Sequence, residues 1–224
     1  RDDCIVCPYH GYRFDATGKC VLVPSHPEWK IPGKLHLQTV LHEERYGIIW
    51  VCLSGKPVNR IPVWEPEESD SAYRRFTLGP EIWDCSAGRL IENFIDNAHF
   101  SFVHRSSFGQ EGSATMGAEY EFSKDDYTMT MEFDYKATNP DDSPIADASE
   151  LERHMHRTLF LPFFTRTVIS YPGGREHLIH FNIAPVSSRK SQLIAVFHRN
   201  FDHDVPIDQL REWEKKIIYE DRAI

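Results

Sequence analysis

Apolar and polar residues alternate over long stretches of the chain. In Tyr127-Thr-Met-Thr-Met-Glu-Phe-Asp-Tyr135 every second residue is apolar, and Arg157–Ser170, His177–Ile183 and Gln192–Phe201 are comparably rich in β-branched and aromatic residues. A period of two predicts strands, here those of an antiparallel sheet. Two segments depart from that period. From Ala87 to about His104 the apolar residues Leu90, Ile91, Phe94, Ile95 and Ala98 fall on one side at helical spacing, which predicts a helix. Pro206 to Asp221, with its acidic start, predicts a second. The first part of the chain has shorter β-rich runs: Cys4–Cys7, Gly11–Phe14, Cys20–Val23, Leu35–Val40 and Tyr46–Leu53. Pro24, Pro27, Pro32-Gly33 and Gly55 punctuate them. Composition shifts at Pro62–Pro66 and the polar Glu67–Ser71, so the expected division is a small all-β module over 1–66 and a larger α+β domain over 67–224. Ser106–Gly117 and Asn139–Ser149 read as polar loops.

Composition narrows the function classes. The 224 residues carry 25 Lys+Arg against 34 Asp+Glu, a net charge of −9, and no basic run suited to phosphates, which argues against nucleic acid. The longest clean apolar stretch, Tyr46–Leu53, is far short of the ~20 residues that span a bilayer, and no signal peptide opens the chain. Three of the five cysteines fall in the first twenty residues. That clustering suits a reducing, cytoplasmic setting and a metal site better than a disulfide scaffold. The chain has no initiator Met and starts inside what reads as a structured segment, and its last helix stops three residues after Asp221, so a fragment cut at both ends is expected.

Two constellations carry chemistry. The first is Cys4-Ile-Val-Cys7-Pro-Tyr-His10. Cys4, Cys7, His10 and Cys20 offer a mixed thiolate and imidazole set for zinc, while the plainer reading makes Cys4 and Cys20 buried strand residues and His10 a turn residue. Cys7-Pro-Tyr-His10-Gly-Tyr-Arg-Phe-Asp15 also resembles the second half of a Rieske motif, the Cys-Pro-x-His-Gly-aromatic loop of ring-hydroxylating oxygenases. That resemblance implies a [2Fe–2S] centre with Cys₂ on one iron and His₂ on the other, Cys7 and His10 giving one ligand to each. The family's other Cys-x-His pair lies about sixteen to eighteen residues upstream, before Arg1, and Cys4 matches no ligand position.

The second constellation is Asn93-Phe-Ile-Asp96-Asn-Ala-His99-Phe-Ser-Phe-Val-His104. On an ideal helix His99 and His104 lie ~140° apart, so they meet one ion only if the helix distorts near Phe100–Val103, as at a π-bulge, or ends there. Asp96, three residues before His99, is placed to accept the second imidazole N–H. Asn-x-x-Asp-x-x-His-x₄-His resembles the mononuclear iron motif of the Rieske non-haem iron oxygenases, and the resemblance extends over essentially the whole chain. It implies an all-β Rieske module followed by a helix-grip-like catalytic domain. It also implies His99 and His104 as Fe(II) ligands, Asp96 as the bridge for electrons from a neighbouring subunit's cluster, and Asn93 close to the iron. A third, oxygen ligand is needed. Asp221 resembles the family's late acidic ligand and is preferred to Glu220, Glu150, Glu152, Asp202 and Asp204. His154-Met-His156 could form a competing pair on one strand face, but reads better as a polar face near Arg153 and Arg157. His177, His180, His198 and His203 show no local pattern.

The resemblance implies a terminal oxygenase component of the vanillate demethylase, phthalate dioxygenase and phenoxybenzoate dioxygenase group, assembled as a head-to-tail homotrimer. Electrons from NAD(P)H arrive through a flavin/[2Fe–2S] reductase or ferredoxin, and O2 is used to hydroxylate or demethylate an aromatic or similar substrate. Phe94, Phe108 and the Leu159–Phe164 run are pocket candidates. The alternatives are a Rieske electron carrier without catalysis and a zinc-stapled binding protein.

Overall fold

The computed structural model describes residues 3–109, 119–140, 143–144 and 151–224. Two compact units are present, Arg1–Val63 and Trp64–Ile224. In the first, β1 (Ile5–Val6), β2 (Arg13–Phe14) and β3 (Cys20–Leu22) form an antiparallel sheet over a small core of Phe14, Cys20 and Val23. A hairpin of β4 (Leu41–Arg45) and β5 (Ile48–Cys52) follows. The expected strand over Leu35–Val40 is corrected: only one bridge, Lys19 to His36, forms there, and pairing begins at Leu41. The cause is the turn. Tyr46 (φ 58°) and Gly47 (φ 73°) both take left-handed backbone, the two-residue reversal whose twist matches a hairpin.

The second unit opens with α1 (Glu65–Glu68) and β6 (Arg74–Trp83), continues through α2 (Ala87–Ile95) and α3 (Phe100–Val103), and then becomes sheet. The strands are β7 (Glu121–Lys124), β8 (Thr128–Ala137), β9 (Leu151–Phe160), β10 (Phe164–Tyr171), β11 (Arg175–Ser187) and β12 (Lys190–Arg199), with α4 (Ile207–Arg222) last. They make one antiparallel sheet of seven strands in the order β6-β12-β11-β10-β9-β8-β7. The single strand expected over Arg157–Ser170 is two strands, joined by a turn at 161–163. Pro162 has no N–H for a central ladder, so the chain reverses there. β6 escapes a reading by alternation because Gly79-Pro80 interrupts it.

Register fixes which side chains share a face. Phe76, Phe197, Ile179, Thr167, Arg157 and Met131 are successive cross-strand partners from β6 to β8. On this face Leu90, Ile91 and Phe94 of α2 and Leu210 and Ile218 of α4 pack against Phe76, Leu78, Leu193, Ala195 and Phe197. Burial of these aliphatic and aromatic groups, each worth about 1.5–3 kcal/mol, holds the helices to the sheet. Ser86 caps α2, its Oγ accepting from the Arg89 N–H at 3.3 Å. The consequence for function is that α2, α3 and α4 present their inward side chains to one cleft above the sheet.

Candidate metal centre

The helix expected to run on to His104 stops at Ile95. Asp96 is extended (φ −76°, ψ 145°), and the chain re-enters helix only for the single turn of α3, with His99 before it and His104 after it. The break therefore precedes His99 rather than lying between the two histidines, and no π-bulge is needed. Asp96 accounts for it: its Oδ2 accepts from the His99 backbone N–H at 2.9 Å and from His99 Nδ1 at 2.7 Å. A carboxylate that satisfies the opening donor of a new turn also stops the previous helix from continuing. With one short turn between them, the two imidazole centroids stand 5.1 Å apart.

α4 brings the third group. Asp221 Oδ1 lies 3.4 Å from His99 Nε2 and 3.2 Å from His104 Nε2, and the three donor atoms lie within 4.8 Å of one another. Both rings face inward through Nε2 because Nδ1 is engaged elsewhere. His99 Nδ1 bonds Asp96, and His104 Nδ1 bonds Glu220 Oε2 at 2.9 Å. Glu220 is held in turn by Ser107 Oγ at 2.7 Å and by Ser106 Oγ. Glu220, weighed in the sequence only as a rival ligand, thus orients one; its signal was its position next to Asp221.

The electrostatics suit a cation. Burial raises the Asp221 pKa, but the neighbouring His104 and His99 imidazoles, with Asn93 beside them, outweigh burial and bring it down to about 2. Burial lowers His104 and the carboxylates of Asp221 and Glu220 outweigh that too, leaving it above its ordinary value. Asp221 Oδ1 is buried and makes no hydrogen bond among the described residues, and the amide nitrogen of Asn93 is in the same condition. An acceptor oxygen without a donor, set between two imidazole nitrogens, fits a metal ion that two imidazoles and one carboxylate would hold.

Beside these groups lies a cleft that is partly open to solvent. Phe94 and Phe108 line it as expected, but the Leu159–Phe164 run does not. Leu159 is in the core and Phe164 stacks near Trp64 and His180. Arg153 and Arg157 are a second correction. They do not share the face of His154 and His156 but point the other way, buried, into the cleft. Arg157 donates to Asn97 Oδ1 at 3.0 Å and Thr167 Oγ1 at 3.2 Å, and Arg153 to Asn139 Oδ1 at 2.8 Å. His154 and His156 instead pair across strands with Asp134 (2.8 Å) and Glu132 (2.7 Å), which accounts for them without a metal. His177 also lines the cleft, while His180 meets Glu67 at 3.2 Å.

In the first unit, Cys7 and His10 occupy one tight loop. The Cys7 N–H donates to Tyr12 O and the Gly11 N–H to Cys7 O, both at 2.9 Å. Gly11 (φ 73°) makes the reversal, and a Cβ there would press Pro24 at 3.2 Å. His10 is exposed beside the Tyr9 ring. Cys20 sits in the small core with its thiol toward Leu22 O. Cys4, Cys7, His10 and Cys20 therefore do not gather as a zinc site; among the described residues only His99, His104 and Asp221 do.

An inward-facing histidine pair and carboxylate over a seven-stranded antiparallel sheet, preceded by a Cys-Pro-x-His-Gly loop in a small β module, define a Rieske-type oxygenase α subunit. Residues 83–224 match the vanillate O-demethylase oxygenase C-terminal domain and residues 1–41 the Rieske [2Fe–2S] domain. The chain belongs to this family of Rieske non-haem iron oxygenases, whose catalytic domain holds mononuclear iron. It is 30% identical over 201 residues to methylxanthine N1-demethylase NdmA of Pseudomonas putida, covering 88% of this chain and 55% of NdmA. The structure of NdmA with caffeine superposes with a TM-score of 0.77 at 26% identity, over 98% of this chain and 62% of that one. The dicamba O-demethylase oxygenase component of Stenotrophomonas maltophilia is 35% identical over 104 residues, 45% of this chain and 30% of that protein. Dicamba monooxygenase bound to dicamba shares the fold, with a TM-score of 0.82 at 22% identity over 98% of this chain and 68% of that one. The chain thus spans a little over half the length of NdmA. Among the described residues no helix is long and apolar enough to cross a membrane.

Proposed function

We propose that this chain is the catalytic part of a terminal oxygenase that removes a methyl group from a nitrogen or oxygen of an aromatic or heteroaromatic substrate. The observation that carries the reading is the convergence of His99 Nε2, His104 Nε2 and Asp221 Oδ1 on one point, with that carboxylate oxygen buried and without a hydrogen bond among the described residues. His99, His104 and Asp221 would hold Fe(II), and Cys7 and His10 would supply one ligand to each iron of the cluster. When bound, the two iron centres supply the redox chemistry of O2 activation. Overall, one oxygen atom of O2 goes to the methyl carbon, which leaves as formaldehyde. The other becomes water, using two electrons from NAD(P)H passed through a reductase or ferredoxin.

The chain's own residues do the positioning. Asp96 and Glu220 hold the N–H of each imidazole at Nδ1 and so keep the Nε2 lone pairs turned inward. Asp96 is also exposed, and its Oδ1 is the oxygen not engaged with His99, which suits a contact with a cluster histidine of a neighbouring subunit. A closed head-to-tail trimer would bring that contact about. Asn93 stands beside Asp221 and lines the cleft. Phe94, Phe100 and Phe108 line the cleft and limit water around the reacting carbon. Demethylation is supported by the names of the relatives, a methylxanthine N1-demethylase and a dicamba O-demethylase. Metal analysis of His99→Ala and Asp221→Asn tests the reading. Each should lose the mononuclear iron and formaldehyde release while the cluster absorption stays; retention of that iron with full turnover would refute it.

A further inference from the structure

The metal centre leaves one part of the cleft unused. Glu214 on α4 and His177 on β11 both line the cleft and are both buried, and nothing in the iron site engages them. Glu214 Oε1 and His177 Nε2 face each other as a buried pair at 3.4 Å, yet neither atom makes a hydrogen bond among the described residues. A buried acceptor left unsatisfied at the wall of a cleft is unusual in a native protein and calls for a partner. Glu214 lies two turns before Asp221 on the same face of the same helix, which separates the two positions by about 10 Å. That is roughly the length of a substituted aromatic ring or fused bicycle. Ile179, Phe181 and Ile217 are among the apolar residues that line the same cleft.

We infer that Glu214, with His177 beside it, is the specificity-determining group that accepts a hydrogen bond from an N–H or O–H on the substrate edge remote from the methyl group. The inference rests on the oxygenase reading above and adds the chemistry of the substrate's far end: a neutral ring bearing a donor. Burial pushes the Glu214 carboxyl up to about 7, with Arg199 drawing it back, and burial holds His177 well below its ordinary value. Neutral or ionised, the carboxyl keeps an acceptor lone pair for that donor. The competing ligand chemistry in the same cleft is an anion at Arg153, whose Nε is buried without a hydrogen-bond partner among the described residues.

Three probes separate these chemistries, since each places a methoxy group opposite a different substituent: 4-methoxyphenol (a donor), 1,4-dimethoxybenzene (no donor) and 4-methoxybenzoate (an anion). Binding to the intact, iron-loaded protein is measured by equilibrium dialysis for wild type, Glu214→Gln and Glu214→Leu, with thermal melts to confirm folding and iron content to confirm the centre. The phenol should bind at least about tenfold more tightly than the dimethoxy ring, because a site built to hydrogen-bond a donor discriminates against its absence. Glu214→Gln, which keeps a carbonyl acceptor, should retain most of that preference, and Glu214→Leu should erase it. A preference for the benzoate, a phenol preference unchanged in Glu214→Leu, or no binding of any probe at millimolar concentration with iron in place would overturn the inference and leave the oxygenase reading standing. A wild-type protein that binds no mononuclear iron would overturn both.

Discussion

Replacing Glu214 by Gln should change how stability depends on pH, by an amount the structure sets. A free Glu side chain ionises near 4.5, and burial in the cleft raises this one to about 7. Between those two values the unfolded chain has released the proton and the folded chain still holds it, so each step up in pH favours unfolding. At 1.36 kcal/mol per pH unit the displacement amounts to about 3 kcal/mol. That contribution is intact below about pH 4.5 and gone above about pH 7. Glutamine does not titrate, so Glu214→Gln should be spared the loss. Any difference in how its amide fits the buried site is a constant offset at every pH, so the slope carries the test. The other perturbed groups cancel in the comparison. Asp221, brought down to about 2, contributes stability that is lost only as pH falls below about 4. His104, raised, contributes stability that is lost as pH climbs through its folded value, equally in both proteins. Urea unfolding of the metal-free protein at pH 4.5 to 8 supplies the measurement. The difference in unfolding free energy between variant and wild type should grow by about 3 kcal/mol across that range. Parallel curves would show that Glu214 is ionised in the folded protein and that its burial does not govern its charge.

Three further perturbations follow from the same geometry. Glu220→Ala removes the acceptor of His104 Nδ1 and should weaken Fe(II) binding about 10- to 100-fold in chelator competition; unchanged affinity would show that the ring needs no such support. Asp96→Asn should keep both iron centres and normal cluster reduction but slow turnover, so that single-turnover reoxidation of the pre-reduced cluster falls about 10-fold or more; wild-type reoxidation would take Asp96 off the electron path. Cys7→Ser in the intact protein should abolish the [2Fe–2S] absorption while Cys4→Ser keeps it, and the reverse result would exchange their roles.

The sequence shows the metal centre where ligands are close neighbours and loses it where they are distant. Asp96, His99 and His104 stand out because nine residues contain all three and the spacing is itself the chemistry. Asp221 needed the family resemblance, since no local rule ties it to a turn over a hundred residues earlier. The helix breaks earlier than periodicity predicts because apolar spacing continues through Ala98, whereas the backbone obeys a side-chain acceptor at Asp96, which periodicity does not register. Arg153 and Arg157 were hidden for a different reason. Alternation marks apolar residues as inward, and a buried guanidinium breaks that rule only because Asn97, Asn139 and Thr167 come from elsewhere to meet it. Glu214 and His177 are the same kind of exception, polar side chains on the face that pattern assigns to the core.

The two histidines and Asp221 come from opposite ends of the catalytic unit, and that separation has a mechanical side. A cation held by all three clasps α4 to the turn of α3 and closes a loop of more than a hundred residues. In covalent cross-links, closing a loop of that size is worth about 4–5 kcal/mol by chain entropy. The same reasoning makes the ion a fastener for Leu210, Trp213 and Ile218, whose burial depends on α4 staying docked. Stripping the metal would then do more than silence the centre: it would loosen the helix, quicken amide exchange along it and open its apolar face to proteases. Chelation and ageing of the protein should meet at one event, the undocking of α4.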